Sequence, residues 1–75
     1  MKIADFIAEM ELLMELDEGT LHGDTILSNL SAWDSLAVIG YIAVVDEAFQ
    51  RSVATKDIAN AETLTDLFML AHGTP

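Results

Sequence analysis

The chain has 75 residues, of which 52% are hydrophobic and none is cysteine; 13 acidic residues against 3 basic ones give a formal net charge of −10. A chain of this length makes one domain, residues 1–75, burying roughly 60% of the surface its unfolded form exposes, and the hydrophobic fraction excludes a disordered acidic tail. The charge repels nucleic acid and anionic membranes and favours partners with basic patches, and without cysteine there is neither a disulfide nor a protein thiolate nucleophile.

Ile3, Phe6, Ile7, Met10, Leu13 and Met14 recur at the three- and four-residue spacing of one helix face, which predicts a first helix ending near Leu16. Asp5, Glu9, Glu11 and Glu15 fall off that face and read as solvated, since nothing near them forms a site for paired carboxylates to work in. From Asp17 to Trp33 the residues Gly19, Thr20, Gly23, Asp24, Thr25, Ser28, Asn29 and Ser31 interrupt every periodicity and mark a loop. It exceeds the usual length of a connection in a compact domain, which argues either against the element assignment or for function, and Leu21, Ile26, Leu27 and Leu30 are the residues expected to pin it to the core. Asp17, Gly23 and Asp24 do not make a calcium loop, because the alternating acids and terminal Glu of that pattern are missing. His22 and His72 have no second ligand at metal spacing and no nucleophile beside them, so both read as surface histidines and no metal site is expected.

The second helix is predicted from about Ser35 to Gln50. Asp34 and Ser35 both suit a helix start, where a short side-chain oxygen accepts from a free backbone N–H, and Trp33 stands where an apolar residue staples against the first turn. Val38, Tyr41, Ile42, Val45 and Phe49 form an inward stripe. The opposite side carries Leu36, Ile39, Gly40, Ala43 and Glu47, apolar or small where an exposed face is ordinarily charged, so it is either covered by the long loop or touched by a partner. The apolar run Leu36 to Val45 is too short to span a bilayer. The N-terminus lacks a cleavable apolar segment flanked by positive charge, which leaves a cytoplasmic protein as the expectation.

Beyond Gln50, Thr55 is positioned to cap a short helix through Ile58 toward Asn60. Thr63 with Asp66 approximates a capping box for a last helix whose inward residues are Leu64, Leu67, Phe68 and Ala71, and Gly73 and Pro75 end it. No run alternates in twos. The expected fold is therefore all-α, a small four-helix bundle of three main helices and one short one, with a long loop between helices one and two.

Asp34-Ser35-Leu36, preceded by Asp24-Thr25-Ile26-Leu27-Ser28-Asn29-Leu30 and followed near the end by Thr63-Leu64-Thr65-Asp66-Leu67, resembles the attachment-site signature of acyl carrier proteins over nearly the whole chain. The resemblance implies a stand-alone carrier and not an enzyme. Ser35 would carry a 4′-phosphopantetheine arm, transferred from coenzyme A with release of 3′,5′-ADP, and the arm's thiol would hold acyl groups as thioesters for fatty acid, polyketide or related biosynthesis. Asp34, next to it, would help position the transferase's magnesium ion or the coenzyme A phosphates, and Leu36 completes the tripeptide. Family members often read Asp-Leu-Gly, one residue, then Asp-Ser-Leu; here Asn29-Leu30-Ser31-Ala32-Trp33 precedes Asp34, without the Gly and with one residue added. The Gly-Gly-His or Gly-Gly-Asp that usually precedes Ser-Leu in peptidyl carriers is absent.

The expected partners are a phosphopantetheinyl transferase and acyl-loading and acyl-transferring enzymes with basic or apolar docking surfaces, serving a monomer that binds neither nucleic acid nor membrane. Acids usual along helix two in the family are replaced by Ala37, Gly40 and Ala48, leaving Asp46 and Glu47 near its end. The docking patch is accordingly expected to be Leu36, Ile39, Gly40 and Ala43, with Glu47 as a charged edge contact. The competing class is an unmodified acidic helical interaction module, with Ser35 serving only as a cap and the same outer face binding a partner helix or groove.

Overall fold

The structure, a computed structural model, describes residues 1–73; among these it forms four α-helices, one 3₁₀ turn and no strand. Helix α1 spans Ile3–Leu13, and at its start the Asp5 carboxylate accepts from the Lys2 backbone N–H at 3.3 Å. The helix stops a turn earlier than expected, because Glu15 takes a left-handed conformation (φ 56°) that reverses the chain. Leu16 still reaches the edge of the core. Helix α2 covers Ser35–Phe49 and ends on Gln50, again left-handed at φ 54°, the usual device for closing the last turn. Helix α3, Thr55–Asn60, is preceded by Ala54 as its cap residue, so Thr55 is the first helical residue and not the cap that its hydroxyl suggested.

Helix α4, Leu64–His72, starts in a reciprocal capping box. Thr63 Oγ1 accepts from Asp66 N–H at 3.2 Å, while the Asp66 carboxylate accepts from the backbone of Glu62 at 3.0 Å and of Thr63 at 3.1 Å. These bonds, that from Glu62 foremost, hold the Asp66 carboxyl below the ordinary carboxylate range. Gly73, at φ 75°, ends α4. Pro75, expected to reinforce that stop, lies outside the described residues.

The helices meet over a core of Phe6 and Met10 from α1, Tyr41 and Val45 from α2, Ile58 from α3, and Leu64, Leu67 and Ala71 from α4. Aromatic contacts run through it, edge-on from Trp33 to Tyr41 to Phe6, tilted from Phe6 to Phe68, and edge-on again from Phe68 to Phe49; such pairs add to plain area burial. Tyr41, fully buried, donates its hydroxyl to the Leu67 carbonyl at 2.7 Å and ties α2 to α4. Burial pushes its phenol far above the ordinary value, against the opposing pull of the Arg51 guanidinium. His72 is exposed as expected, with its ring edge against Phe68 and Phe49.

Between α1 and α2 the chain carries only the 3₁₀ turn Leu27–Asn29, yet its first part is laced to the rest of the molecule. Ile26 pairs with Thr63 across an isolated bridge, Leu27 N–H donates to Glu62 at 2.8 Å, and Thr65 donates to the Gly23 carbonyl through both its N–H and its hydroxyl. Leu21 and Leu27 are buried and Leu30 partly so, whereas Ile26 is exposed and holds its place through the backbone bridge, not through the core. Glu11 departs from the solvated face assigned to it. It is buried, and its Oε2 accepts from the backbone of Gly19 at 2.9 Å and Leu21 at 3.0 Å. Among the described residues no helix is long and apolar enough to cross a membrane.

Candidate functional site

The site is built where the connection turns into α2. Trp33 donates to the Leu30 carbonyl and Asp34 to that of Ala32, each at 3.1 Å, which brings the chain round in a tight turn. Asp34 then takes extended backbone angles, and its Oδ1 accepts from Ala37 N–H at 3.0 Å. The cap is therefore Asp34, and Ser35 is the first residue of the helix, with its side chain exposed. Two candidate caps were legible at this point, and the structure gives the bond to one of them. Trp33 is half-buried with its ring 6.2 Å from that of Tyr41, and shares a cleft wall with Val38, the residue a staple onto the first turn would meet.

Along the outer side of α2, Leu36 is 76% and Ile39 63% exposed, and Ala43 and Glu47 are exposed as well. The stripe is not covered by the connection. Gly40 does not belong to it: the position is half-buried, and a β-carbon there would collide with the Leu13 side chain of α1. The close approach that a glycine permits is internal, between α1 and α2. Ala37 is likewise buried, so it is not an outward position that lost an acid.

A shallow groove of about 440 Å³ is lined by Ile39, Ile42, Ala43, Asp46, Arg51, Ser52 and Val53. Glu47 instead borders a separate depression with Met1, Glu9, Val44 and Ala48. The charged neighbours of Ile39 and Ala43 are thus Asp46 and Arg51, which a helical wheel could not single out because Arg51 lies beyond the helix end. On the other side of α2 a cleft of about 310 Å³ opens between α2 and α3, lined by Leu27, Ser28, Trp33, Val38, Thr55, Ile58, Ala59 and Ala61. Among the described residues no three His, Asp or Glu side chains gather closely enough to hold a metal ion.

Ser35, Asp34 and Leu36 are contiguous at one helix end, and Ile39 and Ala43 continue from them along one face. Nothing in this arrangement pairs the Ser35 hydroxyl with a histidine: His22 lies in the connection and His72 beside Phe49 and Phe68, both exposed. Compared with protein-family models, curated proteins and solved structures, the chain matches none.

Proposed function

We propose that the chain is an acyl carrier: Ser35 is the attachment point of a 4′-phosphopantetheine arm, and the protein is the substrate of a phosphopantetheinyl transferase, not an enzyme itself. The observation that carries this reading is the division of labour at the start of α2, where Asp34 supplies the cap bond and leaves Ser35 exposed within the Asp-Ser-Leu tripeptide. An exposed hydroxyl at a loop-to-helix junction is accessible to another protein's active site. The anionic phosphodiester it would gain sits at the positive end of α2, a placement worth about 0.3 to 1 kcal/mol. The arm supplies the thiol that a cysteine-free chain lacks.

On this reading the four helices make the small bundle of a carrier, with the connection from α1 as its long loop. The protein is cytoplasmic and monomeric, binds neither nucleic acid nor membrane, and passes acyl groups among enzymes of fatty acid, polyketide or related biosynthesis. The cleft between α2 and α3, apolar at Leu27, Val38 and Ile58, has room to shelter part of an acyl chain. Partner enzymes dock on Leu36, Ile39 and Ala43, whose exposure supports the patch; Gly40 is left out because it faces Leu13 of α1. The same exposed patch also suits an unmodified interaction module, and intact mass separates the two. Incubated with a phosphopantetheinyl transferase and coenzyme A, the chain gains the mass of one arm, and Ser35→Ala gains nothing. A wild-type chain left at its apo mass, or a variant still modified on Ser28, Ser31 or Ser52, overturns the assignment.

A further inference from the structure

The connection between α1 and α2 is held in two different ways along its length. Its first part bonds to distant elements: Gly19 and Leu21 donate to the Glu11 carboxylate, Thr65 donates twice to Gly23, Leu64 donates to Thr25, and Leu27 donates to Glu62. After Leu27 the pattern changes. Asn29 donates to Ile26, Leu30 to Leu27, Trp33 to Leu30 and Asp34 to Ala32, so the backbone bonds of 28–33 are made only to near neighbours. What keeps this segment on the molecule is the side-chain contact of Leu30, Ala32 and Trp33 with the core, each only partly buried; Ser28, Asn29 and Ser31 are exposed.

At the far end the chain is fixed again by the Asp34 cap on α2. A segment bonded at both ends and held between them by a few half-buried contacts opens at lower free energy than its surroundings. Ser28 and Trp33 also wall the cleft whose opposite side is Thr55, Ile58 and Ala59 of α3. We infer that residues 28–33 are a lid, hinged at Leu27 and Asp34 and latched by the edge of Trp33 on Tyr41, whose lifting opens the cleft between α2 and α3. The lid is a property of the unmodified chain, so its test does not depend on whether Ser35 carries an arm.

Native-state hydrogen exchange on the unmodified full chain reads it directly. The amides of Leu30 and Trp33 are expected to be at least about tenfold less protected than those of Leu21, Leu27 and Thr65, and their exchange to depend less steeply on added denaturant, because lifting six residues exposes less surface than global unfolding. Equal protection in the two groups overturns the lid. The variant Val45→Ala, which weakens the core away from the segment, separates local from global opening: exchange at Thr65 accelerates while exchange at Trp33 stays unchanged. Equal acceleration at both would mean that the segment opens only when the whole chain unfolds, and the lid fails on that result too.

Discussion

A carboxylate at 5% exposure is tolerable only where protein donors replace the water it has lost, and Glu11 finds them in the amides of Gly19 and Leu21. Removing the acceptor while keeping the bulk, as in Glu11→Leu, strands the buried Leu21 N–H along with that of Gly19, and is expected to cost on the order of 2 to 4 kcal/mol. Glu11→Gln keeps an oxygen in place and is expected to lose well under half of that. Urea midpoints of the two variants measure the difference; equal losses would mean that the charge, and not the acceptor, is what the site requires. Asp66 is the contrasting case, an exposed carboxylate whose bonds to the backbone of Glu62 and Thr63 depress its pKa. Because the folded value lies below the unfolded one, its contribution is present above about pH 4 and is lost as the pH falls through the folded value. The stability gap between the wild type and Asp66→Asn is therefore expected to be open at pH 7 and to close as the medium is acidified below about pH 4. A gap that stays constant across that window would assign the effect to hydrogen-bond geometry and not to charge.

At the scale of elements, what the sequence made legible is what local spacing encodes. Phe6 and Met10 on α1 with Met14 at its C-cap, Tyr41 and Val45 on α2, and the Thr63–Asp66 box of α4 all depend on neighbours three or four residues apart, and each lies where its period placed it. Glu11 was misplaced because its partners lie eight and ten residues away in a turn with no period, and the bonds from Thr65 to Gly23 join residues 42 apart. Gly40 was misread for the same reason, since the side chain that needs its space belongs to α1. The tripeptide at Ser35 was legible as a motif, but which of its two polar residues caps the helix is a matter of backbone angles. On α2 the exposed stripe makes a prediction that belongs to the helix as a whole. With 63% of its surface exposed, Ile39 should tolerate Asp within about 0.5 kcal/mol, so on the proposed carrier function an Ile39→Asp protein loaded with the arm is expected to keep its melting temperature while acyl transfer to or from a partner enzyme falls. Unchanged transfer would remove the stripe as a docking surface, whatever the stability shows.

For the whole molecule the governing quantity is the ratio of its size to the range of its own field. Its principal extents are 27, 23 and 20 Å, whereas the screening length is about 30 Å at 0.01 M salt and about 8 Å at 0.15 M. At low ionic strength every charge therefore acts on every other, and with 13 acids against 3 bases the sum is repulsive. The unfolded chain relieves that repulsion by expanding, so salt should stabilise the native state. Opposing terms exist: the carboxylates of Asp34 and Asp66 at helix starts are favourable charge–dipole contacts that salt weakens. Each is worth only about 0.3 to 1 kcal/mol and acts within a single turn, so the long-range repulsion decides the sign. The melting temperature is expected to rise between 0.01 and about 0.5 M sodium chloride, most steeply in the lower part of that range, where the screening length shrinks past the molecular diameter. Glu18→Lys, which reverses an exposed charge outside the hydrogen-bonded carboxylates, should raise the melting temperature at low salt and flatten its slope. A melting temperature that falls with added salt in the wild type, or a slope that Glu18→Lys leaves untouched, would show that local pairs and not the net charge set the stability of this chain.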